Sequence, residues 1–380
     1  MTINIGVLLP HSKTYPTMGK EYLNGLKLGL GSSKSNCAFS IEGIGVGGDE
    51  KDLIDKAQKM VMQDDVQVIT GLLGHVGIEK LVEYVKSMEV VLLYSDLGAT
   101  IPLLTQHNEW SFCNSFELYK SAMLFGKYAP IWGYNNIAIS SCYYDSGYGM
   151  ISALEKTLYE AGGSFSGHFI TPLHPRENEK DLMSEFVEAI KPDALYTIHS
   201  GVFAKEHVSF LAKNKIEEKQ PVFSCPFGVD LNLINENKQS LVGSKCISPW
   251  FIEEERQSNS VFIELYFETY GKLPTPFALL GYENGLALNA GMGILENENL
   301  DINHLKNTLL KINIEGPRGE IEFVPVLNRT SYKQYLWEIT ENKREYKKEK
   351  RNKIDLELEG TILTSLTKQN GGWTNAYLCN

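Results

Sequence analysis

Residues Asn135–Glu160 read NNIAISSCYYDSGYGMISALEKTLYE. The apolar run NNIAISSC is followed by a turn rich in glycine and tyrosine, then by MISALEKTLYE with helical spacing. Strand, glycine turn and helix form the opening of a βαβ unit. The same order stands at the start of the chain, where INIGVLLP (Ile3–Pro10) and a loop lead into MGKEYLNGLKLGL (Met18–Leu30). Two such starts imply two similar α/β lobes. The turn Gly147-Tyr148-Gly149-Met150-Ile151-Ser152 is one glycine short of a dinucleotide fingerprint. Ser152 replaces the third glycine, and Ile170 stands near the next strand's end, where an acidic residue would hold a ribose. These departures make a nucleotide-using enzyme the weakest reading. A plain tight turn and a turn that aims Tyr148 at a ligand both stay open.

The alternation continues along the chain. Strands are expected at Ile3–Leu9, Phe39–Val46, Val66–Thr70 and Val90–Tyr94, with helices at Gly19–Leu30, Asp49–Met62 and Val76–Ser87 between them. Continuous Val/Ile/Leu strands separated by amphipathic helices indicate a parallel sheet covered on both faces. The pattern restarts with a helix at Leu118–Tyr128. Strands follow at Asn136–Cys142, Phe165–Ile170, Ala194–Ile198, Pro221–Ser224 and Leu241–Cys246, and helices at Met150–Ala161, Glu179–Ile190 and Phe203–Lys213. Further helices are expected at Val261–Tyr270, Ala278–Leu295 and Ile302–Lys311. EGPRGEIEF (Glu315–Phe323) reads as a tight turn entering a strand, and Tyr332–Ile339 alternates like an antiparallel or edge strand. The charge run Asn342–Lys353 reads as a solvated loop or exposed helix, and GGWTNAYLCN (Gly371–Asn380) carries no clear signal.

The chain has 380 residues, enough for two domains. It is 43% hydrophobic and 22% charged with a formal charge of −11, which argues against a nucleic-acid binder. No apolar run approaches the roughly 18 residues of a membrane span. Met1 is followed within three residues by a strand, so no leader pattern is expected at this start. Six scattered cysteines include no C-x-x-C pair. They read as buried small hydrophobes, with one disulfide involving Cys37 or Cys379 left open. The motifs of serine hydrolases, P-loops and zinc proteases are missing, and no histidines pair at i, i+4. Catalytic residues, metal and cofactor are expected to be none.

At this point the motifs resemble the type I periplasmic binding proteins of the branched-chain amino-acid, urea and amide group, the solute receptors of ABC importers. The resemblance runs from Ile3 to about Ile339. It rests on IGVLLPHSKTYPTMGKEYLNGLKLGL, VQVITGLLGHVGIEKLVEYV, VVLLYSDLGATIPLL, WSFCNSFELYKSAMLFGKYA, YYDSGYGM, TYGKLPTPFALLGYENGLALNAGM and EGPRGEIEF. It implies two Rossmann-like lobes with parallel sheets joined by three hinge crossings, residues 1–117 and 248–328 forming lobe 1, and 118–247 and 329–380 lobe 2. The ligand is then expected between the lobes, beyond the carboxyl ends of the strands.

The resemblance also implies site residues. His75, beside Gly74, stands where the family places a hydroxyl on the ligand carboxylate. Gly98 and Thr100 match the next ligand loop, and Tyr148 the tyrosine that closes from lobe 2. His199 and Ser200 follow the DALYTI strand, where another contact is common. Met18 and Phe277 match apolar wall positions. Phe227 lies where amino-acid receptors carry an acid for the ligand ammonium; without that acid a buried ammonium would be unpaired. Each residue also fits a structural role: Thr100 as a turn cap, His75 as a loop histidine, and Met18, Phe227 and Phe277 as core. The function implied is an extracytoplasmic receptor that closes by a hinge on a small carboxylate- or amide-bearing ligand with an apolar or aromatic body. Its partners would be that ligand and an ABC permease. A cytoplasmic sensor of amide-type ligands on the same fold is the alternative.

Overall fold

The computed structural model describes residues 2–102, 108–216, 220–293, 301–325, 327–340, 344–347 and 372–380. Strands β1 (Ile3–Leu9), β2 (Cys37–Gly43), β3 (Val68–Leu72), β4 (Val91–Asp96) and β5 (Ser111–Ser115) form a parallel sheet in the order β2-β1-β3-β4-β5. Helices α1 (Met18–Gly29), α2 (Glu50–Gln63) and α3 (Ile78–Ser87) connect its strands. Strands β1, β3 and β4 are almost wholly buried, which is why their apolar runs lack alternation.

The second sheet has the order β14-β13-β10-β9-β8-β6-β7. Here β6 (Asn136–Cys142), β7 (Ser164–Thr171), β8 (Ala194–Ile198), β9 (Val222–Ser224) and β10 (Lys245–Ser248) run parallel. β13 (Tyr335–Ile339) pairs antiparallel with β10, with Lys245 opposite Glu338, and β14 (Arg344–Lys347) pairs antiparallel with β13. Helices α4 (Leu118–Tyr128), α5 (Met150–Glu160), α6 (Glu179–Ile190), α7 (Gly201–Asn214) and α8 (Leu231–Leu241) belong to this half. α9 (Gln257–Tyr270), α10 (Pro276–Gly293), α11 (Ile302–Leu309) and the hairpin β11 (Ile314–Gly316)–β12 (Gly319–Ile321) follow β10. The chain therefore passes between the two sheets after β5, after β10 and after β12.

Several expectations shift. β5 lies within a stretch read only as a crossing, yet it completes the first sheet. The strand expected at Leu241–Cys246 begins at Lys245, because Leu231–Leu241 is helical. Asp230 caps that helix by accepting from the Leu233 N–H at 2.9 Å, a start signal hidden in the polar stretch DLNLINENK. The charge run is neither loop nor helix at Arg344–Lys347 but a strand, and its remainder lies outside the described residues, as does the end of the helix expected to reach Leu295. All six cysteines are free thiols, so the disulfide left open at Cys37 or Cys379 is not formed.

One contact fixes how α1 and α10 meet, and with it the cleft side of the first half. A Cβ on Gly25 would lie 1.9 Å from the Ala278 carbonyl oxygen, and one on Gly29 2.1 Å from that of Tyr282. Gly281 and Gly285 of α10 face Tyr22 and Leu26 of α1 as closely, at 2.0 and 2.4 Å. The two backbones touch without side chains between them. Met18, which opens α1, and Phe277, in the first turn of α10, are buried in the same core. Gly25→Ala is expected to lower unfolding stability by about 1–3 kcal/mol through overpacking, read by urea titration, with little change in the m-value.

Candidate functional site

The carboxyl ends of β1, β3 and β4 face those of β6, β8 and β9 across a cleft. Apart from His199 and Ser200, the predicted site residues lie at or beside it. The loop after β4 is held by Gly98, whose φ of +65° suits glycine and whose absent Cβ would come 2.7 Å from the Glu117 Cα. The Gly98 carbonyl accepts from the Tyr119 N–H at 2.7 Å, so it is engaged by α4. Thr100 Oγ1 and His75 Nδ1 are 3.4 Å apart. The His75 ring keeps an exposed edge, while the atoms packed around it lower its pKa against the pull of Asp96. It is thus a neutral hydrogen-bonding group at pH 7.

Tyr148 enters from the second half. Its hydroxyl lies 3.0 Å from the Tyr144 hydroxyl and 3.2 Å from the Asn375 carbonyl, which share its one proton, and burial raises its pKa. Ser200 does not face the cleft directly. Its hydroxyl donates to Asp145 Oδ1 at 2.8 Å, and Cys142 Sγ donates to the other oxygen at 3.0 Å. This fully buried carboxyl has its pKa raised by burial. His199 sits elsewhere: its Nε2 is 3.1 Å from Ser140 Oγ, and its ring stacks on His207 at 3.7 Å. It lines neither cavity described below.

Met18, Phe227 and Phe277 are all buried. Tyr15, which the motif reading passed over in favour of Met18, links them. Its ring lies 5.9 Å from Phe227 and 5.5 Å from Phe277, both edge-on, and its hydroxyl accepts from the Gly201 N–H at 3.1 Å. Tyr15 leaves the first half and Gly201 opens α7 in the second, so this bond spans the cleft. The only sequence sign of Tyr15 was its place in the loop HSKTYPTMG.

Two cavities flank this aromatic wall. The larger, of about 400 Å³, is lined by Tyr15, Phe116, Phe227, Trp250 and Phe277, with Glu21, Asp230 and Lys272 among its polar groups. Glu21 is already engaged, by Lys272 at 2.6 Å and Thr275 at 2.7 Å, and Asp230 caps α8. The smaller, of about 30 Å³, is lined by His75, Gly98 and Thr100 on one side and by Ala376, Tyr377 and Cys379 on the other. It has room for little more than a water. Three of the family-position residues, His75, Gly98 and Thr100, therefore share one pocket with Ala376, Tyr377 and Cys379, from a segment that had carried no sequence signal.

The family model for periplasmic binding proteins matches residues 2–344. The chain belongs to the periplasmic binding protein family. This is a family of binding proteins rather than enzymes. No curated protein sequence matches the chain. Among solved structures, this binding protein is similar to an ABC transporter substrate-binding protein from Sphaerobacter thermophilus, at 19% identity over 90% of this chain and 94% of that one, TM-score 0.79. A solute-binding protein of an ABC transporter from R. palustris, in complex with benzoate, is 19% identical over 91% and 95%, TM-score 0.75. An amino acid ABC transporter substrate-binding protein from Pseudomonas fluorescens Pf-5 is 16% identical over 95% and 98%, TM-score 0.76. At these identities the likeness is one of fold. Among the described residues no helix is long and apolar enough to cross a membrane.

The buried histidines beneath the cleft make a pH prediction. Burial holds the His207 pKa down to about 3, against roughly 6.5 in an unfolded chain. Between these values the unfolded state binds the extra proton, so stability is full above pH 6.5 and falls as pH drops toward 3. At pH 5 the loss from this group is about 2 kcal/mol. Thermal melts from pH 7 to 5 should show the decline, and His207→Phe should make it shallower by about that amount, leaving the part due to His168 and His199, whose pKa values burial also lowers. An equal decline in the variant would show that His207 is not the group responsible.

Proposed function

We propose that this chain is the solute receptor of an ABC importer and that it closes on a small organic acid or amide with an apolar or aromatic body. The observation that carries the reading is the wall of Tyr15, Phe227 and Phe277 between the two halves, facing a cavity of about 400 Å³. That volume suits a small ligand, and the lining combines aromatic rings with a few polar groups. A free amino acid fits less well. Position 227 is a phenylalanine, and the two carboxylates on the cavity wall are already used by Lys272, Thr275 and the α8 backbone. A buried ammonium would find no fresh partner among these groups. The benzoate held by the similar R. palustris protein is an acid of the proposed class.

The contacts from both sides, Tyr15 with the α7 N-terminus among them, would select the closed arrangement over the open one. The closed form would then be what a membrane permease recognises, with the receptor outside the cytoplasm. The domain division expected from the sequence, 1–117 with 248–328 and 118–247 with 329–380, is part of this reading, since each hinge crossing falls near one of those boundaries.

A thermal-shift screen tests it. Benzoate, 4-hydroxybenzoate and aliphatic acids or amides are expected to raise the melting temperature. A solute at a hundred times its Kd would add about 2.7 kcal/mol. Phe227→Ala should remove most of the shift. Stabilisation by leucine or valine with none from the acids and amides would overturn the ligand class. Stabilisation by NAD or ATP that is lost in Tyr148→Ala would overturn the receptor reading.

A further inference from the structure

The segment Trp373–Asn380 runs through the cleft and is gripped from both halves. From the first half, the Val46 carbonyl accepts from the Ala376 N–H at 2.9 Å, and the Lys13 N–H donates to the Asn380 carbonyl at 3.0 Å. Thr14 Oγ1 donates to Asn380 Oδ1 at 2.8 Å, and the Ser12 hydroxyl donates to the Leu378 carbonyl. From the second half, the Gly147 carbonyl accepts from the Trp373 N–H at 3.0 Å, and the Tyr144 carbonyl from Trp373 Nε1 at 2.8 Å. Tyr148 donates to the Asn375 carbonyl, and Tyr144 to that of Cys379 at 3.3 Å. The Tyr377 ring stands 4.9 Å from Tyr148, edge-on.

The seats fit this segment. A Cβ on Gly147 would lie 1.8 Å from the Trp373 ring, and one on Gly74 2.9 Å from Ala376. Ala376, Tyr377, Leu378 and Cys379 are all buried, at 6% exposure or less. Leu378 adopts a φ of +69°, a backbone state that a leucine holds only when its surroundings impose it. The place filled is the one beside His75, Gly98 and Thr100, where only about 30 Å³ is left.

We propose that Trp373–Asn380 is a tethered, reversible occupant of the part of the cleft beside His75, Gly98 and Thr100, an intramolecular ligand that a solute must displace to extend from the larger cavity onto those residues. The proposal rests on reading the cleft as the solute site, but the seating of the segment is measured without any solute. Because segment and cleft share one chain, the segment competes at a high effective concentration. It explains why the larger cavity stays open while the pocket nearest His75 is full. It also gives the receptor a peptide-shaped ground state, in which the tyrosine pair Tyr144 and Tyr148 is satisfied by backbone carbonyls rather than by solute.

Hydrogen exchange on the full chain, with no ligand added, should show the amides of Trp373, Ala376 and Cys379 exchanging at least a hundredfold slower than unstructured peptide. The free octapeptide WTNAYLCN should bind the full-length Trp373→Ala/Tyr377→Ala variant at least tenfold more tightly than the wild type, by fluorescence anisotropy of a labelled peptide. Asn380→Ala, a milder change, serves if the double variant does not fold, and the wild-type exchange needs no variant. Unprotected exchange in the wild type, or peptide binding that is equal or undetectable in both chains, would overturn the proposal. Slow exchange together with a solute screen that fails on both chains would keep the tethered occupant and remove the solute reading instead.

Discussion

The geometry of the cleft depends on a buried set of charges where the chain crosses between the sheets. Arg318, in the turn of the β11–β12 hairpin, is fully buried. It donates to Glu283 of α10, to the Ser115 carbonyl at 2.8 Å and to Asn114 Oδ1 at 2.7 Å, and lies 3.8 Å over the Tyr332 ring. Arg329 pairs with Asp96 at 3.0 Å, and Lys120 with Glu117 at 3.5 Å. The three acids and three bases balance. Removing any one partner would leave a buried charge uncompensated, at a cost of about 3–5 kcal/mol. The set joins the ends of β4 and β5, the start of α4, the middle of α10 and the last crossing.

Much of this was legible in the sequence, and the reasons differ by element. The parallel strands were visible because burial on both faces leaves unbroken apolar runs, as in VITGL and ALYTI. The family motifs located the loops at Gly98 and Tyr148; the first needs glycine for its φ of +65°, whereas Gly147 beside Tyr148 is required by the close approach of Trp373. Helix Leu231–Leu241 was not legible, since its residues are polar and its capping Asp230 looks like any loop aspartate. β5 was missed because SFCNS mixes hydroxyl, amide and thiol groups whose burial depends on Arg318, Thr330 and Asp96, all distant in sequence.

The site divides in the same way. His75, Thr100, Tyr148, Phe227 and Phe277 meet at the cleft, and Met18 sits beneath them with its sulfur 3.6 Å from Cys379. His199 and Ser200 lie one layer back, the first against Ser140 and His207, the second on Asp145. A motif fixes where a strand ends but not which way the next side chain turns. The turn Gly147-Tyr148-Gly149 shows the limit most clearly. One glycine admits Trp373, and the tyrosine between the two contacts Asn375 and Tyr377. Those partners lie more than two hundred residues along the chain, in a stretch without periodicity or motif.

The central claim is that a cleft between two halves admits a solute only by opening. A cross-cleft disulfide tests it, because Gly149 and Ile101 face each other from opposite sides: a Cβ on Gly149 would lie 3.5 Å from Ile101 Cγ1. Calorimetric titration of Ile101→Cys/Gly149→Cys with 4-hydroxybenzoate, before and after reduction, is the direct measurement. The account predicts binding by the reduced chain and at least a hundredfold loss when the disulfide is closed. Equal binding in both states, or binding in neither, would contradict it.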